Sequence, residues 1–376
     1  MFENLSHLAL QQYWWVIVSL LGGLLVFLMF VQGGQTLLGT IAKTEMQKSI
    51  LVNILGRKWE LGYTTLVTFG GAAFAAFPLF YSTSFGGAYW VWIAILFCYT
   101  IQAVSYEFRT KAGNFLGQKT YETFLFINGS VGVILIGVAV GTFFTGSNFE
   151  IDNMNLSYWR NSLGGLEGAF DFTNLSLGFA IFFLARILGS QYFIKMTDEP
   201  TIIENSFKQI KYSTLPFLVF FLYFAGALLL GSGFAYDPTS KLVFVEKYKY
   251  FHNLIEMPIV AVIFLLGVVG VLAGIGLSIF KKNINAMFFS GTGTVLTVFA
   301  VLLLAGLNNT SFYPSIYDPQ SSLTIENASS SIFTLKTMSY VSLIVPFVLA
   351  YIVYIWRLMD KKNINEEEIN NTPQSY

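Results

Sequence analysis

An all-α integral membrane protein is the fold class this sequence predicts, with about nine transmembrane helices, and three observations predict it. Only 11% of the 376 residues are charged and 55% are hydrophobic, against about 25% charged in ordinary soluble domains. Roughly nine stretches are nearly free of charge over about 20 residues, the length needed to cross a hydrocarbon core. The lysines and arginines between those stretches gather on alternate loops, as cations on the inner side of a membrane do.

In chain order the runs fall at about 13–38, 61–81, 89–108, 124–144, 175–194, 214–234, 257–280, 286–307 and 338–356. The first is too long for a signal peptide and follows no cationic segment, so it reads as a retained helix. Thirty-eight Phe and 33 Gly suit packed membrane helices, in which rings fill space and glycines let backbones approach. With the N-terminus outside, Arg160, Lys241, Lys247, Lys249 and Lys336 are the only cations of 21 that fall outside. Residues 1–362 then form one polytopic membrane domain, and 363–376 form a polar cytoplasmic tail expected to be disordered. The longer outer loops, at about 145–174, 235–256 and 308–337, hold turn-forming residues without metal-ligand spacing.

Several function classes are disfavoured. The formal net charge is zero, so bulk electrostatics suggests no nucleic acid or acidic partner. A single cysteine, Cys98, allows no intrachain disulfide and no thiolate cluster. The two histidines, His7 and His252, lie outside the long apolar runs, so the chain looks poorly equipped to ligate haem within its helices. No phosphate-binding loop, dinucleotide fingerprint, nucleophile elbow or internal repeat is visible.

Three ionisable residues need explanation. Glu60 follows Arg57, Lys58 and Trp59 at the start of the second run. It reads either as a solvated boundary residue or as an acid that exchanges protons with water while facing the helices. Glu107, at the end of the third run, is four residues before Lys111. It forms either an i,i+4 pair, on the order of 0.3 kcal/mol, or a relay carboxylate on the same membrane face as Glu60. Arg186 stands about eleven residues into the fifth run, near mid-membrane at ~1.5 Å per residue. An unpaired cation there is costly, so a buried ion pair, a polar path or snorkelling to the interface is expected.

The stretch from 56 to 81 carries a resemblance. Trp59, Glu60 and Gly62, followed by Gly70, Gly71, Ala72, Phe74, Ala75, Ala76 and Pro78, are similar to the Trp-acid-Gly element and Gly-Gly-Ala-x-Phe-Ala-Ala-x-Pro helix of subunit II of the cytochrome bd quinol oxidases. This chain has Glu-Leu-Gly where the family more often has Asp-Gly. Glu107, Arg109 and Lys111 fall on the family's acid-aromatic-Arg-Ser/Thr-Lys element, whose acid is implicated in proton uptake. Gln32 and Gln35 occupy the place of its Asp-Gly-x-Asp element as amides, which bind water without titrating. Read as residues alone, they are hydrogen-bonding glue between helices. Gly189-Ser190-Gln191-Tyr192, Met257-Pro258 and the segment around Ser322-Leu323-Thr324 continue the likeness in order along the chain.

The resemblance implies two four-helix bundles plus one peripheral helix, in a bacterial cytoplasmic membrane. It implies pairing with a subunit I that ligates haem b558, haem b595 and haem d, in a complex that oxidises membrane quinol and reduces oxygen to water. This chain would not be catalytic by itself. It would supply scaffold and a cytoplasmic proton path involving Glu60, Glu107, Trp59, Arg109, Lys111, Gln32 and Gln35, and an oxygen route or a structural quinone site among its Phe-rich helices. A small third subunit is compatible with the resemblance. The rival class is a polytopic secondary transporter, in which broken helices and inverted repeats would surround a midplane site.

Overall fold

The computed structural model describes residues 2–111 and 113–371. The first helix, α1 (His7–Gln35), is capped by Ser6, whose hydroxyl accepts from the Ala9 amide, satisfying one of the free N–H groups of a first turn. A short α2 (Glu45–Gly56), capped by Thr44, leads directly into α3 (Trp59–Ala76). Next come α4 (Tyr89–Phe108), α5 (Gln118–Thr145), α6 (Phe172–Met196), α7 (Pro200–Leu230), α8 (Pro258–Lys281), α9 (Ala286–Gly306) and α10 (Ile332–Met359). A last short helix, α11 (Glu366–Asn371), ends the described chain.

Among the described residues, eight of these helices are long and apolar enough to cross a membrane, all but α2, α3 and α11. The second apolar run therefore behaves differently from the rest. Its helix α3 has 18 residues and stops at Phe77, which takes φ −132° and ψ 66° before Pro78. Proline offers no amide and drives the preceding residue out of helical geometry. The first half of α3 is also polar: Thr65 and Thr68 donate to the Leu61 and Thr64 carbonyls at 2.7 Å.

Packing follows the small residues. Helix α6 lies against α5, α7 and the end of α1, α8 pairs with α9, and α1 also packs on α9 and α3. At the α1–α6 crossing Gly33 faces the Ala185 backbone, where any side chain would collide, so glycine is what lets these two backbones meet. The second half of α10 buries none of its residues and lies on the periphery.

The loops at 145–174, 235–256 and 308–337 are more structured than turn density alone predicts. Strands β1 (Phe149–Ile151) and β2 (Ser157–Trp159) form one hairpin, β3 (Ser232–Tyr236) and β4 (Val243–Lys247) another. The 308–331 loop ties them together: Ser147 donates to Pro314, and Ser311 to Phe234. Beneath this cap an aromatic cluster gathers Trp15, Phe77 and Phe312, with Trp15 and Phe312 centroids 4.5 Å apart.

The tail expected to be disordered is docked as far as it is described. Ile364, 1% exposed, inserts among apolar residues at the end of α6; its amide donates to Met196 O at 3.0 Å, and its carbonyl accepts from Thr197 Oγ1 at 3.1 Å. Helix α11 packs on α2. One buried isoleucine among polar neighbours is enough to anchor a segment whose composition reads as solvated. Residues 372–376 lie outside the described residues.

Candidate proton-uptake site

The turn between α2 and α3 places three charged side chains in three different settings. Arg57 Nη1 donates to the Met359 and Lys362 carbonyls at 2.9 and 3.1 Å. Lys58 is fully buried, and its Nζ pairs with Asp360 Oδ1 at 2.9 Å while lying 4.8 Å from the centre of the Trp356 ring. Tyr192 also donates to Asp360 Oδ1, at 2.9 Å. Burial pushes the Lys58 ammonium below its ordinary range, and the Asp360 carboxylate opposes that push. Glu60 is exposed and lines a cavity of ≈ 470 Å³ with Gly56, Arg57, Leu358, Met359 and Lys362.

Behind Glu60 the fold buries a group of amides and rings. Trp59 stacks on Tyr106 with centroids 5.6 Å apart and planes 11° from parallel. The Tyr106 hydroxyl accepts from Gln35 Nε2 at 3.0 Å, and Gln32 Nε2 lies 3.5 Å from Gln102 Oε1. Gln32, Gln35, Gln102 and Asn128 are each at most 1% exposed. Yet Gln32 Oε1, Gln35 Oε1, Gln102 Nε2 and both polar atoms of Asn128 have no hydrogen-bond partner among the described residues. Buried polar groups normally find one. Asn128 opens a π-helical turn, Asn128–Gly132, within α5, a distortion that often accompanies function. Gly129 there lies directly against the Gln32 backbone.

Glu107 and Glu60 each follow one member of the stacked Trp59–Tyr106 pair, which puts both acids at the same end of the fold. Their side chains do not converge on the buried amides: Glu107 points outward, paired with Lys111 at 3.4 Å with both groups more than half exposed. Arg109, two residues on, is 1% exposed. Its Nη2 and Nε reach Glu122 Oε1 at 2.9 and 3.3 Å, and Nη1 reaches Ser49 Oγ at 3.3 Å. Glu122 also receives Lys48 at 3.1 Å. Glu122 and the Lys58–Asp360 pair were not evident in the sequence, because their partners are distant in the chain or lie across a loop with no local signal.

Arg186 does not meet a carboxylate. Nη1 donates to Thr36 Oγ1 at 3.0 Å, Nη2 lies 3.5 Å from Gln209 Oε1, and the guanidinium sits over the Phe182 ring at 5.5 Å. Of the alternatives open at this position, an ion pair, a polar path or snorkelling, the described residues offer a hydroxyl, an amide and an aromatic face, with no described acid in ion-pair range.

An apolar cavity of ≈ 150 Å³ is lined by residues of α1 and of α3 through α9, among them Leu25, Leu66, Ile181, Phe221 and Leu302, and reaches exposed Leu222 and Leu272 on α7 and α8. Thr294 and Thr297 also line it, but their hydroxyls are spent on the Ser290 and Gly293 carbonyls of their own helix. No group of three metal-ligating residues occurs among the described residues. His7 is held to Ser330 O, and His252 to Glu246, at the hairpin end of the fold.

Residues 10–359 match the sequence model of the cytochrome bd terminal oxidase subunit II family. The chain is 28% identical over 359 residues to the probable cytochrome oxidase subunit 2 of Haemophilus influenzae, covering 93% of this chain and 94% of that protein. It is 27% identical to the cytochrome bd-I ubiquinol oxidase subunit 2 of Escherichia coli strain K12, over 99% of both chains. In three dimensions it resembles a chain of the bd oxidase from Geobacillus thermodenitrificans, with a TM-score of 0.64, 13% identity, and coverage of 93% and 98%. At that identity the structural likeness speaks to fold alone. The chain belongs to the cytochrome bd terminal oxidase subunit II family, as a multi-pass helical protein of the bacterial inner membrane.

Proposed function

We propose that this chain pairs with a haem-bearing subunit I to form a quinol:oxygen oxidoreductase, for which it supplies scaffold and a proton path from the cytoplasmic side. In this reading the end of the fold bearing Lys58 and Arg109 faces the cytoplasm and the hairpin cap faces outward, with the N-terminus outside and the C-terminus inside. Haems b558, b595 and d belong to subunit I. The histidines here do not suit a haem: both lie at the hairpin end and are engaged by Ser330 and Glu246, so neither points into the bundle as an axial ligand.

The observation that carries the proton path is Glu60 in a 470 Å³ cavity, beside the half-buried Trp59 and the buried Tyr106, Gln35, Gln32 and Gln102. Water is the natural partner for the orphaned amide atoms, and amides, a phenol and water together form a hydrogen-bonded path without a buried carboxylate. Glu60 collects protons at the mouth. Glu107 serves as a second collecting carboxylate on the same end, with Lys111 beside it. Arg109 contributes by clamping α4 to Glu122 rather than by carrying protons.

The apolar cavity suits molecular oxygen better than the structural quinone expected from the resemblance. Such cavities stay dry, and this one offers no free donor for quinone carbonyls. A family match over 10–359 leaves the transporter reading without support. Purification in mild detergent tests the assignment: the chain should co-elute with a haem-containing partner that absorbs in the red region, and a colourless chain from a strain with intact haem synthesis would reject it.

A further inference from the structure

The turn that presents Glu60 also grips the C-terminal segment twice. Residues 57, 58 and 60 belong to one turn, and within it Arg57 holds the Met359 and Lys362 carbonyls while Lys58 holds Asp360. The segment so held supplies Leu358, Met359 and Lys362 to the cavity that Glu60 lines. One wall of the cavity therefore comes from a part of the chain about 300 residues away in sequence. The latch is costly chemistry for a packing role: a lysine with no exposed surface needs a buried acid and gains little over an apolar contact of the same shape.

We propose that segment 358–362 is a positioning strap for Glu60, latched by the Lys58–Asp360 pair and forming one wall of the open depression in which the exposed Glu60 meets water. The charged groups around that depression are Arg57 and Lys362, with Glu368 behind them, paired to Arg57 and 3.9 Å from Lys362. Tyr192 holds the latch from inside the bundle by donating to Asp360, and half-buried Trp356 lies under Lys58. Ile364, buried beyond the strap, keeps its far end in place.

The consequence for turnover rests on Glu60 collecting protons, whereas the strap itself can be tested without that reading. Cys98, the chain's only cysteine, is buried, so Glu60→Cys in the complete complex presents one accessible thiol on this chain. Its labelling by a membrane-impermeant maleimide should quicken several-fold when Asp360→Asn cuts the latch. It should keep the rate of the Glu60→Cys parent in Lys58→Met/Asp360→Leu, which replaces the pair with an apolar contact and guards against a trivial folding defect. Unchanged labelling in Asp360→Asn would overturn the strap.

Oxygen consumption then separates positioning from general stability. Asp360→Asn should lower turnover in the complex with Glu60 intact and cause no further loss in a Glu60→Gln background, the non-additivity expected of two residues acting through one site. Equal losses in both backgrounds would overturn the positioning role. Should Glu60→Gln itself leave turnover untouched, the proton reading fails, and the labelling rates still decide the strap.

Discussion

Trp59 and Tyr106 stack at 5.6 Å, and this one contact joins the start of α3 to the C-terminal end of α4. It buries the indole against a phenol whose oxygen is already held by Gln35. Offset aromatic pairs of this kind contribute about 0.5–1.5 kcal/mol beyond area burial. Trp59→Leu should therefore reduce the thermal stability of the complex slightly and turnover more, since it frees the Tyr106 ring without removing a titratable group. Equal turnover in mutant and wild type would show that the stack is packing alone.

The Arg109–Glu122 pair predicts a different kind of defect. Glu122→Gln leaves a guanidinium with 1% exposure without its counter-charge, and breaking a buried pair from one side costs about 3–5 kcal/mol. The yield of assembled complex and its melting temperature should fall, while the complex that does assemble should keep its haem spectrum. Thermal scans followed at the haem bands check this.

For Arg186 the expectation is mild. Its partners are a hydroxyl and an amide, so Arg186→Leu strands no carboxylate, and each lost hydrogen bond is worth about 1 kcal/mol. Removing the cation also removes its desolvation cost. Assembly close to wild type is predicted, and a collapse in yield would reveal an acidic partner, on this chain or on its subunit, that becomes unpaired.

The buried amides give a sharper test. Gln35→Leu removes the donor to Tyr106 and one of the orphaned oxygens, and Gln32→Leu removes another. Either should lower oxygen consumption with little loss of stability, because an apolar residue of similar size replaces a partly unsatisfied one. Measured proton uptake should fall in parallel. If both variants pump electrons to oxygen at the wild-type rate, the path does not run through these amides.

Much of this architecture is legible in the sequence for a simple reason: eight helices are marked by length and lack of charge, whereas the second run, read through to residue 81, breaks at Phe77 before Pro78. What is not legible depends on pairs distant in the chain. Lys58 reads as one of two interfacial cations, yet it is fully buried because Asp360, after the last long helix, reaches it. Arg109 reads as part of a local charged cluster, yet its partner is Glu122 across a loop. Glu107 and Lys111 do form the local pair that their spacing allows. Ile364 shows the converse failure: composition marks the tail as polar, and one apolar residue docks it.

The central claim is that Glu60 admits protons to this subunit, and Glu60→Gln in the purified complex tests it most directly. The substitution keeps shape and hydrogen bonding but removes the exchangeable proton. Oxygen consumption and proton uptake should drop by about tenfold, equivalent to ~1.4 kcal/mol in the barrier, with haem content and quinol binding unchanged. Wild-type oxygen consumption and proton uptake in that variant would contradict the account and leave Glu60 as a solvated residue at the end of a helix.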